Sequence, residues 1–185
     1  MKRLLACLFV LIFLTGCSGE NGIDRTIELR QKILSANSCS FTADIVADYG
    51  DALYSFTLQC TFDSLGDMEF TVIKPESIAG IAGKIKGETG YLTFDQQALA
   101  FPLLADEQLT PICAPWIFMK SLRSGYIHSY SLEKDLTYVC INDSFREDAL
   151  QLDVWLDHNH LPVHTEILYL NRRILTVSIT DFAIV

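Results

Sequence analysis

Residues Ser38 to Thr61 read SCSFTADIVADYGDALYSFTLQCT, and the alternation inside this stretch decides the fold class. Two runs, Ser38 to Asp48 and Asp51 to Thr61, alternate apolar and polar side chains on either side of Tyr49-Gly50. A period of two marks strands with one buried face, and a short turn between them marks a hairpin. With the loop centred on Tyr49-Gly50, partner residues have numbers that sum to 99. Cys39 then faces Cys60, Phe41 faces Leu58, Ala43 faces Phe56, Ile45 faces Tyr54 and Ala47 faces Ala52. The opposite face takes Ser40 with Gln59, Thr42 with Thr57 and Asp44 with Ser55. A slip of one residue would scramble this sorting, so the parity is fixed. The register predicts a Cys39–Cys60 cross-strand disulfide and leaves Cys113 and Cys140 as a second possible pair. Buried reduced thiols are the alternative for all four.

Downstream of the hairpin the pattern stays β-rich. Strands are expected at Met68 to Lys74, Gly90 to Phe94 and Ala98 to Leu103, with a glycine-punctuated stretch, Gly80 to Gly87, between the first two. That stretch lacks the G-x-x-x-x-G-K-[ST] order of a phosphate loop, so its glycines are read as bulges or turns. Ile112 to Met119 (ICAPWIFM) carries no polar side chain and follows Pro111, which predicts a helix starting at Pro111 or Pro115 and capped by Gly125. A helix apolar almost all round has to be covered on more than one side. Five more strands follow: Tyr126 to Leu132, Leu136 to Ile141, Ala149 to Asp157, Leu161 to Leu170 and Arg173 to Val185. Upstream, Asp24 to about Ala36 is expected to form a helix with Ile23, Ile27, Ile33 and Leu34 toward one side and Asn37 as its stop. The sum is an α+β domain: a strongly curved antiparallel sheet, an incomplete β-barrel, with an N-terminal helix and a central apolar helix covering or plugging it.

The N-terminus speaks for location. Lys2 and Arg3 precede an unbroken apolar run, Leu4 to Leu14, which is too short to span a bilayer and fits an export signal. Leu14-Thr15-Gly16-Cys17 then matches a bacterial lipobox, whose cysteine takes a diacylglyceryl group and becomes the first mature residue. Residues 1–16 are therefore expected to be removed, 17–23 to form the lipidated Cys17 and a short tether, and 24–185 to form a single domain. Such a protein is anchored to the cell membrane and faces away from the cytoplasm. Cys7 leaves with the signal.

The chain of 185 residues has 14 Lys plus Arg against 23 Asp plus Glu, a formal net charge of −9. So acidic a domain does not suit nucleic acid, which is bound through Lys and Arg. No G-x-S-x-G, H-E-x-x-H or dinucleotide fingerprint occurs, so no enzyme is expected, and neither is a cofactor or a metal. His160 and His164 share a strand but stand about 13 Å apart there, and His158 lies in a turn. Asp153 and Asp157 read as solvated carboxylates on an outer strand face.

An N-terminal helix, a long hairpin, a meander, an apolar helix midway and a final run of strands resemble the lipoprotein-carrier (LolA-like) superfamily from Asp24 to Val185. The resemblance implies an incomplete barrel with a hydrophobic cavity under a helical lid, and a function in carrying or sensing acylated molecules. It also covers a lipid-anchored branch of spore formers that partners a cell-wall amidase. Two functions follow. One is lipid or acylated-ligand binding, with Phe41, Phe56, Leu58, Trp116, Ile117 and Phe118 lining a cavity. The other is an accessory lipoprotein that binds and positions another envelope protein, in which case those same side chains fill a closed core.

Overall fold

The computed structural model describes residues 22–94, 97–102, 104–105 and 108–185. The expected export signal over residues 1–16, with Cys7, and also Cys17 and Leu103 lie outside them. Helix α1 (Gly22–Ser35) leads into strands β1 (Ser38–Asp48), β2 (Leu53–Asp63), β3 (Met68–Lys74), β4 (Ala82–Lys86), β5 (Thr89–Phe94) and β6 (Gln97–Pro102). Two short strands, β7 (Leu104–Ala105) and β8 (Gln108–Leu109), pair with each other before helix α2 (Ala114–Ser124). The remainder is β9 (Tyr126–Glu133), β10 (Leu136–Asn142), β11 (Leu150–Leu156), β12 (Pro162–Tyr169) and β13 (Arg172–Ile184).

All but β7 and β8 join one 11-stranded sheet in the order β6-β5-β4-β3-β2-β1-β13-β12-β11-β10-β9. It is an open, curved antiparallel sheet, not closed into a barrel, with β6 and β9 at its edges. Two meanders are thus joined where β1 meets β13. Because neighbours run antiparallel, the β2–β3, β4–β5, β9–β10 and β11–β12 turns share one end of the sheet, and the β1–β2, β10–β11 and β12–β13 turns share the other.

The hairpin sorts its faces as its alternation requires, but its register differs from the expected one by two. Observed partner numbers sum to 101: Cys39 faces Phe62, Phe41 faces Cys60, Ala43 faces Leu58 and Ile45 faces Phe56. A shift of two keeps side-chain parity, so the apolar pattern alone cannot separate the registers. The turn decides. Gly50 has φ +88°, the Asp48 carboxylate accepts its N–H at 2.8 Å, and Tyr49 N–H donates to the Ala52 carbonyl at 3.1 Å. That four-residue loop is held in place because the Tyr49 hydroxyl donates to the Leu109 carbonyl, a contact between distant parts of the chain.

Helix α1 also corrects its expected face. Thr26, Leu29 and Ile33 are buried, whereas Ile27 and Leu34 are exposed. The inward stripe follows the three- and four-residue spacing from Thr26, and Ile27 and Leu34 fall outside it. Pro111–Cys113 forms a 3-10 turn, Pro115 sits in the first turn of α2, and the side chains of residues 114–119 are all buried. Gly125 ends α2 with φ −68°, so its role is close approach: an added Cβ would meet Ile141 at 2.4 Å. In the glycine-rich stretch Gly80 and Gly87 take positive φ in turns, as expected. Gly83 instead sits within β4, and its missing Cβ admits the Phe70 ring.

One hydrophobic cluster gathers the buried face of the sheet with Leu29, Ile33, Trp116, Phe118 and Met119 from the helices. Phe41 lies at its centre, edge-on to Phe118 at 6.0 Å and stacked on Phe182 at 5.5 Å. Thr165 is fully buried opposite Val154 and Val177, and its hydroxyl has no hydrogen-bond partner among the described residues. Phe41→Ala is expected to lower unfolding free energy by about 3–5 kcal/mol, through lost transfer energy and a residual void. Thr165→Val is expected to raise it by about 1 kcal/mol, since it removes an unsatisfied buried hydroxyl at nearly constant volume. Urea unfolding of the two variants measures both, and a destabilised Thr165→Val would show that the hydroxyl is satisfied in solution.

Candidate functional site

The six residues expected to line a ligand cavity come together, but in packed surroundings. Phe41, Leu58 and Phe118 are fully buried, Trp116 and Ile117 nearly so, and Phe56 is partly buried against the same cluster. Among the described residues, cavities of ligand size lie elsewhere, at either end of the strands.

The first, about 770 Å³, lies at the β1–β2 end. Tyr49, Leu109, Leu150 and Ile174 form its apolar wall, and Arg146, Asp148 and Arg172 stand around it. Leu150 and Ile174 are themselves packed against the core, so this wall continues the interior outward. Tyr49 is held with its hydroxyl on the Leu109 carbonyl, and burial pushes its ionisation up to about 12, so it serves as a neutral donor at physiological pH. Arg146 pairs with Asp148 through two hydrogen bonds of 2.8 Å, which holds the Asp148 carboxyl below its ordinary value. The Asp143 carboxylate accepts the Leu150 N–H at 2.9 Å and so fixes the base of this loop. None of these lining residues stood out in the sequence. Their only signal is that Tyr49, the 143–149 loop and Tyr169 to Arg172 are turns, which an antiparallel order brings to one end.

The second cavity, about 700 Å³, lies at the opposite end between the β2–β3 turn, the β4–β5 turn, α1 and α2. Of the six expected lining residues only Trp116 borders it. Its indole N–H donates to the Gly66 carbonyl at 3.0 Å, and the Lys120 ammonium sits 4.8 Å over its ring.

The four cysteines are free thiols. In the observed register Cys39 and Cys60 occupy diagonal positions, each opposite a Phe on the neighbouring strand. Diagonal partners lie about 7–8 Å apart, beyond the usual Cα separation of a disulfide. Burial raises the ionisation of all four, Cys113 to about 12. Cys140 lies beside Asp153, whose charge adds to that effect.

Asp153 accepts hydrogen bonds from the Tyr138 hydroxyl at 2.8 Å and from Gln151, and Asp157 caps the β11–β12 turn by accepting the Asn159 and Leu161 N–H groups. Both carboxylates are thus engaged in local structure. His160 lies 3.9 Å from Glu28, the His164 ring is tilted against Trp155 with centroids 5.2 Å apart, and His158 is exposed. Among the described residues no group of three or more His, Cys, Asp or Glu is placed to hold a metal. Among those residues no helix is long and apolar enough to cross a membrane.

No protein-family model matches the sequence, and no curated protein matches it. Among solved structures the fold is similar to a LolA superfamily protein of Nitrosomonas europaea, with TM-score 0.44, 11% identity, and coverage of 85% of this chain and 92% of that one. It is likewise similar to a chain in the complex of the CwlD amidase of Clostridioides difficile with the GerS lipoprotein, with TM-score 0.43, 13% identity, and coverage of 91% and 99%. An uncharacterized conserved protein of Thermus thermophilus gives TM-score 0.49 at 8% identity, with coverage of 89% and 88%.

Accessibility of the thiols is directly measurable. Residues Ser18 to Val185 contain four cysteines, and iodoacetamide at mildly alkaline pH should modify none in the folded state and all four in guanidinium without reductant. Recovery of only two or none under denaturing conditions would establish disulfides.

Proposed function

We propose that the protein is a cell-envelope lipoprotein, anchored through a diacylglyceryl group on Cys17, that holds an amphiphilic molecule in the cavity at the β1–β2 end. The supporting observation is the make-up of that cavity, in which Leu109, Leu150 and Ile174 form an apolar wall and Arg172 stands beside it, while Arg146 is paired with Asp148. An acyl chain lies against the apolar wall and an anionic head beside Arg172. Its volume, about 770 Å³, falls within the range of small-molecule sites. The ligand wall is therefore assigned to these residues and not to Phe41, Phe56, Leu58, Ile117 and Phe118, which serve as core. The part played by the protein is binding and release, and no catalytic role is assigned to its carboxylates or histidines.

A second reading, an accessory lipoprotein that positions another envelope protein, is favoured by one feature. Strand β9 is the edge of the sheet and carries exposed Tyr126, Tyr130 and Leu132. An unpaired edge of this kind can accept a strand from a partner.

Anchoring and binding are tested separately. Cys17→Ser in the full-length chain should move the protein from the membrane fraction to the soluble fraction and abolish palmitate labelling. Dansyl-undecanoic acid should bind the domain with enhanced fluorescence, and Ala149→Trp, which fills the cavity, should weaken it about tenfold or more, equivalent to ~1.4 kcal/mol, with an unchanged urea midpoint. Arg172→Glu should weaken the same probe through its carboxylate. Full binding by Ala149→Trp would remove this cavity as the site and leave the edge-strand reading.

A further inference from the structure

We propose that the end of the domain opposite the ligand cavity rests on the surface of the bilayer that carries the anchor, with Leu65 and Leu34 entering the headgroup layer. The inference depends on the anchored reading above and adds an orientation to it.

The β2–β3 turn is built to present a leucine. The Asp63 carboxylate accepts the N–H groups of Leu65 and Asp67, each at 2.9 Å. Gly66 takes φ +94°, its carbonyl accepts from Trp116, and Arg123 donates to the Ser64 carbonyl at 2.9 Å. Two side chains of α2 thus hold a turn whose tip, Leu65, is 86% exposed. Leu34, 52% exposed near the end of α1, borders the same cavity. Around these two leucines stand Trp116 with Lys120 over its ring and Phe62 with the Arg123 guanidinium 5.4 Å above it. Lys86 stands there as well, and the carboxylates Asp67 and Glu88 complete the lining, Glu88 paired with Lys120 at 3.7 Å. Two exposed leucines beside the cations Lys86, Lys120 and Arg123, the last two with their charged heads over the buried rings of Trp116 and Phe62, suit the boundary between acyl chains and headgroups.

Chain entry points the same way. Gly22 packs against Tyr130 and Thr137, near the β9–β10 turn, which shares this end of the strands with the β2–β3 and β4–β5 turns. Glu28 beside His160 and Asn37 donating to the Val185 carbonyl carry α1 across that same end. From Cys17 to Gly22 the chain can extend at most about 18 Å. This end is therefore held close to the lipid, while the ligand cavity opens a strand length, about 35 Å, farther out. A ligand then enters from the side away from the anchoring membrane.

The test uses the full-length, lipid-modified chain in vesicles of phosphatidylethanolamine and phosphatidylglycerol containing a headgroup nitroxide lipid. An environment-sensitive fluorophore is attached at Leu65→Cys, Leu34→Cys or, at the far end, Glu147→Cys, all exposed positions. Vesicle flotation reports the anchor independently. Flotation with strong quenching at residues 65 and 34 and little at 147 supports the proposal. Flotation with equal, weak quenching at all three positions overturns the orientation and leaves the anchor intact. Failure to float, with Cys17→Ser indistinguishable from the parent, overturns the anchored reading and this inference with it.

Discussion

The structure depends on the pairing of β1 with β13, the first and last strands of the domain. Cys39 stands opposite Ile184 and Ala47 opposite Leu175, and Val185 exchanges backbone hydrogen bonds with Ser38 just beyond them. Each meander alone is local and would leave a broad apolar face in water. Joined at β1 and β13 they form one curved face, which buries Phe41, Ala43, Ile45, Val177 and Ile179 among their neighbours. Few contacts are more distant in sequence, and the chain must close most of its length to make them. A bulge between Ser40 and Thr42 takes up the mismatch between the two meanders.

From that junction the two ends of the sheet acquire different chemistry. Toward the β1–β2 turn the core runs out into a wide mouth, because the 143–149 loop and the β12–β13 turn leave room beside Tyr49. Toward the β2–β3 turn the second cavity is bordered by the two helices, with Arg30 donating to the Leu122 and Gly125 carbonyls at 2.6 and 2.8 Å and so tying α1 to the end of α2. The binding proposed at the β1–β2 end and the attachment proposed at the β2–β3 end would divide the work along the strand axis. The interior needs no empty space for this, since Phe41, Phe118 and Phe182 fill it with ring contacts.

Strand positions were legible because a half-buried strand must alternate, and β10 through β13 begin and end within a residue or two of where their alternation places them. The start of α2 was legible from Pro115, whose lack of an N–H is harmless in a first turn. Less was visible at the sites. Leu150 reads as a core residue and Arg172 as a turn residue, and no local pattern says that they share a cavity wall with Tyr49. Leu65 looks like any loop leucine until Asp63, Trp116 and Arg123 are seen to hold its turn.

The sequence by itself determined the α+β class, the parity of the hairpin, the positions of both helices and the lipobox that bears on location. Periodicity, proline placement and a short signal are local properties, readable from neighbours in the chain. Only the tertiary structure decided the hairpin register, because shifts of two leave every side chain on its own face and the choice fell to Gly50 and to Tyr49 docking on Leu109. It likewise decided which side of α1 is buried and where open space remains. Those outcomes depend on surfaces that meet only after β1 and β13 have brought the two halves together.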